Sequence, residues 1–247
     1  MTVLKRCFMV MLLLCFWQLA VTATHMPSYI LPAPTAIGAA LWLHHSELLY
    51  HGSMTLLEIG ISLISATMLG LGLAILMLQH PKLERLVHPV MLFSQAVPTF
   101  ALAPILILWF GFGILSKVMI ATLMIFFPIT VNAFDGLKRV PEDLVGQARL
   151  MGATPWQQLR YLRLPYALPA IGAGLKVAVI MAPMGVVIGE WSGAQAGLGF
   201  YMLYHNSRMD VAAMFAAMLV LAGLVFGGYL GLNKLLNRFT PWERTAC

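Results

Sequence analysis

The chain has 247 residues, of which 60% are hydrophobic and 10% charged, against about 25% charged in an ordinary soluble domain. A chain this size has too little polar surface to cover so much apolar side chain, so composition excludes a soluble globular fold and points to a bilayer. The net charge of +6 does not mark a nucleic-acid binder, because the basic residues flank apolar runs.

Six apolar runs follow one another, at roughly 7–24, 54–78, 87–110, 115–134, 170–190 and 211–233. Each is near the ~20 residues that cross a bilayer as a helix. Lipid offers no partner for backbone N–H and C=O groups, and the alternation of a membrane barrel is absent, so the runs predict helices. The predicted fold class is an all-α, polytopic transmembrane helix bundle of about six spans. Residues 1–26 form an N-terminal span and 27–247 the transmembrane domain.

The first run follows Lys5-Arg6 and ends near Val21-Thr22-Ala23, a pattern that a cleavable signal peptide shares. Cleavage would leave five spans in the same orientation. His44, His45 and His51 share the next segment, but no fourth ligand accompanies them, and Cys7, Cys15 and Cys247 lack metal or disulfide spacing. No metal site is predicted. The second run carries Glu58, and its Gly60, Gly70 and Gly72 suit close helix approach. The third contains Gln95, Pro98 and Pro104, the fourth Pro128 and the fifth Pro183. Each proline removes a helix donor and predicts a kink.

The fifth run ends at Glu190-Trp191. A carboxylate at membrane depth beside an aromatic ring suits a cationic or heteroaromatic solute. The plainer alternative places both residues at the interface, with Trp191 in an aromatic belt. Glu190, Trp191, Gln95 and Glu58 are therefore the candidate substrate-pathway residues, with a helix–helix hydrogen bond as the alternative role of Gln95.

Threading the six runs with the N-terminus inside leaves only Lys117 and Arg208 of the 15 basic residues on the outer side. This predicts cytoplasmic N- and C-termini. The longest polar stretch, 137–169, then faces the cytosol. It is punctuated as a helix–turn–helix. Pro141 opens a helix, Glu142 and Asp143 suit its positive end, and Gly152 supplies a left-handed stop. Thr154 caps a second helix with Pro155 at its first position and Gln157 completing a capping box. Pro165 is predicted to stop that helix, and Pro169 marks the approach to the fifth span. Taken alone, this pair of helices suits either a docking partner or the headgroup layer.

The stretch resembles the EAA loop of binding-protein-dependent ABC importer permeases. That motif reads Glu-Ala-Ala, three residues, Gly, nine residues, then Ile-x-Leu-Pro. Here Gly146-Gln147-Ala148, Gly152 and Leu162-Arg163-Leu164-Pro165 hold the same spacing, although the leading Glu and first Ala are replaced. Leu31-Pro32-Ala33-Pro34, Gln95-Ala96-Val97-Pro98, Ala103-Pro104 and Trp109-Phe110-Gly111-Phe112-Gly113 are similar to nitrate, sulfonate, taurine and pyrimidine-precursor permeases. Gly189-Glu190-Trp191, Gly197-Leu198-Gly199-Phe200 and Met202-Leu203-Tyr204 look most like permeases for thiamine precursors of the hydroxymethylpyrimidine type.

The resemblance implies a type I ABC importer permease in a bacterial inner membrane, working with a second permease copy, an ATPase subunit and an external solute-binding protein. It implies that Gly146, Gln147, Ala148, Gly152, Thr154, Leu162, Leu164 and Pro165 couple to the ATPase. The chain has no Gly-x-x-x-x-Gly-Lys-Ser/Thr loop. ATP therefore belongs to the partner, and no cofactor or enzymatic activity is expected of this chain. The implied solute is a thiamine pyrimidine precursor, with a sulfonate, taurine or nitrate as the alternative. An ion-coupled secondary transporter would explain the spans but leaves the helix–turn–helix without a purpose. An intramembrane protease is disfavoured because Ser62 and Ser65 have no histidine deep in a span to match them.

Overall fold

A computed structural model describes residues 3–94 and 98–240. The helices in chain order are α1 (Val3–Thr24), α2 (Pro34–Leu43), α3 (His45–Gln79), α4 (Pro81–Ser94), α5 (Ala103–Phe110), α6 (Ile114–Lys138), α7 (Glu142–Leu150), α8 (Pro155–Gln158), α9 (Leu164–Trp191), α10 (Leu198–Ser207) and α11 (Val211–Phe239). Among the described residues, four helical stretches are long and apolar enough to span a bilayer: α3, α6, Pro155–Trp191 and α11. They contain the second, fourth, fifth and sixth predicted runs, each with extra turns at one or both ends. The first run forms α1, which contributes the shorter apolar stretch Phe8–Thr24.

The third run departs from the single span expected over 87–110. It is divided into α4, a 3₁₀ turn at Thr99–Leu102, and α5. Pro98 stands at the N-cap of that turn and Pro104 in the first turn of α5. Proline has no N–H to give and is best tolerated where a helix starts, so Pro98 restarts the helix, and Pro104 follows where the 3₁₀ turn runs on into α5. Gln95 lies outside the described residues. Pro128 and Pro183 sit inside α6 and α9, which run on past them.

The bundle is built on α6, packed along α9 on one side and α3 on the other. Ile59, Ala66, Ala121, Ile125, Ile129, Ala178, Ala182 and Val186 form its middle core. Small residues set the spacing. A Cβ at Gly185 would lie 2.6 Å from the Ala121 Cα, and one at Gly70 would lie 2.9 Å from the Thr130 Oγ1. Among the three glycines expected to permit close approach, Gly70 does so, whereas Gly60 and Gly72 face open space. A second core at the α7–α8 end joins Met77, Phe134, Leu137, Leu159 and Ala167. A third, at the far end, joins α2, α10, the start of α3 and the first turns of α11 through Leu48, Leu198, Tyr201 and Ala213. Exposed apolar side chains such as Leu108, Trp42 and Met68 cover the outside of the bundle.

Candidate functional site: the elbow and the far end of the bundle

The two ends of the bundle carry different chemistry. At one end α7 and the helix that begins at Pro155 form an elbow. Glu142 and Asp143 occupy the first turn of α7 and Arg149 the last, each with the sign that the helix dipole favours. The turn is closed by a Schellman motif. Ala153 N–H donates to the Ala148 carbonyl and Gly152 N–H to the Arg149 carbonyl, both at 2.9 Å. Gly152 has φ +81°, the left-handed conformation that a Cβ penalises. The next helix opens on the predicted capping box, with Gln157 N–H donating to Thr154 Oγ1 (3.3 Å) and Thr154 N–H to Gln157 Oε1 (2.7 Å).

Pro165 does not stop this helix, contrary to the expectation from sequence. The chain is helical without interruption from Pro155 to Trp191, through a π-helical stretch at Leu159–Arg163. In a regular α-helix the Pro165 ring would press on the carbonyl four residues earlier. The π turn widens the ladder just before the ring, and Pro165 takes a first-turn position in α9, where its missing N–H costs nothing. The second arm of the elbow and the spanning helix are therefore one continuous rod.

Buried Val145, Gln158 and Leu159 anchor the elbow. Arg163 Nη1 donates to the Leu137 carbonyl at 3.0 Å, which ties the rod to the end of α6. Of the candidate coupling residues, Gln147, Gly152 and Thr154 are exposed, while Gly146, Ala148, Leu162, Leu164 and Pro165 are half-buried. The sequence reading passed over the tip itself. Leu150 and Met151 are 90% and 88% exposed and stand at the apex of the turn.

At the opposite end the structure separates Glu190 from its neighbour Trp191. Trp191 is half exposed and lines an open apolar groove of about 1130 Å³ between α9, α10 and α11. Glu190 is 1% exposed and turns inward. Its Oε1 accepts from Thr55 Oγ1 (2.7 Å) and its Oε2 from Gly199 N–H. Thr55 Oγ1 in turn accepts from Leu198 N–H at 2.7 Å, and His51 Nδ1 accepts from Gly197 N–H at 3.1 Å. These three N–H groups belong to the start of α10, where no intrahelical partner exists. Side chains of α3 and α9 thus form a latch that caps α10 from outside. A Cβ at Gly197, which has φ +119°, would fall onto the Glu190 carboxylate.

Glu58 is also buried, at 2% exposure, and pairs with Lys117 of α6. Lys117, which the orientation count placed outside, lies within the bundle wall at 7% exposure. The pair lines a cavity of about 260 Å³ together with Phe112, Ser116, Ser192 and Gln195. Of the pathway candidates, Glu58 and Glu190 are neighbours inside the bundle, whereas Trp191 lies on the groove side. Trp191 lines the groove, Glu58 the cavity and Glu190 the latch, and Gln95 lies outside the described residues. Among the described residues no group of three or more His, Cys, Asp or Glu side chains is placed to hold a metal ion.

Residues 66–243 match the family described as "Binding-protein-dependent transport system inner membrane component". The chain belongs to this family of ABC importer permeases. A probable ABC transporter permease protein of Haemophilus influenzae is 40% identical to it over 96% of either chain. A formylaminopyrimidine transport permease protein of Halalkalibacterium halodurans is 37% identical over 95% of this chain and 94% of its own. A riboflavin transport system permease protein of Chloroflexus aurantiacus is 35% identical over 94% and 88%. Among solved structures, a chain of the inward-facing MetNI methionine ABC transporter superposes with a TM-score of 0.71 at 21% identity, covering 79% of this chain and 97% of that one. The permease is accordingly a membrane-embedded transport subunit, in a family that works with a solute-binding protein and an ATPase.

Proposed function

We propose that the permease imports a small, flat nitrogen heteroaromatic solute of the thiamine pyrimidine-precursor type. The observation that carries this reading is the lining of the groove between α9, α10 and α11. Trp191, Phe226 and Tyr229 offer ring faces, and Met184, Met202, Met214 and Met218 offer adaptable contacts. Among the described residues no charged side chain lines the groove. A sulfonate or taurine anion crossing this surface would lose its hydration without meeting a cation, a heavy penalty in a membrane. An uncharged heteroaromatic ring loses far less. The relative named for formylaminopyrimidine transport supports the same solute class.

The groove is open on one side, and in this reading a second permease copy closes it to complete the pathway. The elbow lies on the cytoplasmic face with both termini and seats in the ATPase subunit. The solute arrives from a binding protein at the far end, beside α10. Because the elbow's second arm and α9 form one rod from Pro155 to Trp191, movement of the ATPase against Gly152 and Thr154, at the head of that rod, is carried along it to Trp191 at the groove. The permease needs no bound cofactor of its own for this. The test is uptake into proteoliposomes holding the permease, its ATPase and its binding protein. ATP-dependent accumulation of an aminopyrimidine, without accumulation of taurine, is expected. Taurine uptake with no aminopyrimidine uptake would overturn the proposal.

A further inference from the structure

Glu58 and Glu190 meet inside the bundle at the start of α10. Gly189 lets α9 close on α6 there, since a Cβ at that position would lie 2.9 Å from the Lys117 Cα. The next residue, Glu190, is thereby held beside Lys117 and Glu58, and the two carboxyls share a hydrogen bond. Both are almost wholly buried. Glu190 Oε1 accepts from Thr55 Oγ1 and Oε2 from Gly199 N–H, and Glu58 Oε1 accepts from Lys117 Nζ. Among the described residues, no N–H or hydroxyl donor reaches the buried Glu58 Oε2.

An ionised carboxyl only accepts, so two carboxylates cannot hydrogen-bond each other. One proton must lie between them, because two like charges this close and this buried do not both ionise. A proton on Glu58 Oε2 satisfies every group. That oxygen becomes a donor to the Glu190 carboxylate, which is why no other donor reaches it. The charge balances as well, with Lys117 positive, Glu190 negative and Glu58 neutral. Without the proton the cluster would hold a net negative charge out of water. The proton belongs to the pair as a unit.

We infer that Glu58 and Glu190 hold one shared proton and make the α10 latch pH-sensitive: the closed latch binds the proton, and opening releases it. On opening, water reaches both carboxyls, the O–H bond breaks with its electrons left on the carboxylate, and the proton passes to water. Rising pH therefore favours the open latch. Met202, Leu203 and Asn206 of α10 line the apolar groove, so the proton sets how firmly one wall of the groove is held, whichever solute is carried. The surrounding titratable groups act otherwise. On α3, His51 accepts from Gly197 N–H and cannot do so when protonated, so it loosens the latch in acid, the opposite direction. On α6, Lys117 is the partner of Glu58. On α10, Tyr201 and His205 pack against His51 and His44, with Asp210 paired to His205 and Glu47 to His44.

The experiment uses the full-length permease in lipid nanodiscs. Infrared spectra at neutral pH read the C=O stretch of a protonated carboxylic acid, identified by its shift in D₂O. Amide exchange at Gly199, corrected for the intrinsic effect of pH on exchange, reads the latch between about pH 6 and 9. The wild type is expected to show the stretch, and its protection at Gly199 should fall with rising pH by up to about tenfold per pH unit, the limit for one proton. A fall in that direction cannot come from His51, whose effect runs the other way. In Glu58→Gln the amide oxygen accepts from Lys117 and the amide N–H donates to Glu190, so the latch closes with no proton to lose. That variant should lack the stretch and keep its protection constant on the alkaline side. Absence of the stretch from the wild type would overturn the inference, as would protection that does not fall with pH, and neither result requires the variant to fold. A stretch that persists undiminished in folded Glu58→Gln belongs to another carboxyl and would overturn it as well.

Discussion

The elbow turn offers a graded perturbation whose size follows from the structure. Gly152 has φ +81°, and a Cβ built there meets nothing within 4 Å. A side chain at this position is therefore penalised by backbone conformation alone, with no steric clash added. For an ordinary L-residue the left-handed region costs about 1–2 kcal/mol, more for a β-branched residue, and least for asparagine. A penalty of that size shifts the population of the correctly closed turn by a factor of roughly 5–30. If the elbow must hold its shape to transmit force, ATP-driven uptake should fall in the order Gly152, Asn, Ala, Val, with Gly152→Asn near wild type and Gly152→Val lowest. Uptake per inserted permease, measured in proteoliposomes with surface-accessible cysteine labelling to normalise insertion, reads this order. Wild-type uptake by Gly152→Val, or an Asn variant as poor as the Val variant, would refute the reasoning.

Other expectations come from the same geometry. Thr154→Ala removes the capping box and should destabilise the elbow by about 1 kcal/mol, seen as faster proteolytic nicking near 152–155. Glu190→Gln replaces a carboxylate that takes two donors and should loosen the α10 latch by about 1.5–3 kcal/mol, seen as faster amide exchange at Leu198 and Gly199. Unchanged exchange there would remove the latch. Gly185→Val forces a Cβ into the Ala121 backbone and should lower the yield of folded permease, with a stability loss of about 1–3 kcal/mol or more in thermal unfolding.

What the sequence reveals and what it conceals divide along the range of the interactions. The Gly152 stop and the Thr154–Gln157 box rest on contacts within five residues, so local patterning shows them. The long apolar helices are legible for the same reason, since each satisfies its own backbone. Pro165 misleads because a proline inside a helical pattern reads as a stop, and nothing local announces the π turn that absorbs its ring. The third run reads as one span because hydropathy is blind to the restart of the helix at Pro98. Helix α10 escapes notice because its capping groups, Thr55 and Glu190, come from two other helices. The Thr55–Leu198 bond joins positions 143 residues apart. The adjacency of Glu190 and Trp191 suggested one site, yet successive helical residues face different ways, one to the latch and one to the groove. The run Gly197-Leu198-Gly199 holds a signal. Two glycines bracketing a helix start mark a close approach, here of the Glu190 carboxylate.

The most direct test of the account is whether the elbow touches the ATPase. A cysteine placed at Met151, on a background with Cys7, Cys15 and Cys247 replaced by serine, stands at the exposed tip of the turn. It should form a short-linker cross-link to the ATPase subunit in inside-out vesicles, and ATP should change the yield. Labelling of that cysteine by an impermeant reagent added outside intact cells, with no cross-link to a co-purified ATPase, would contradict it.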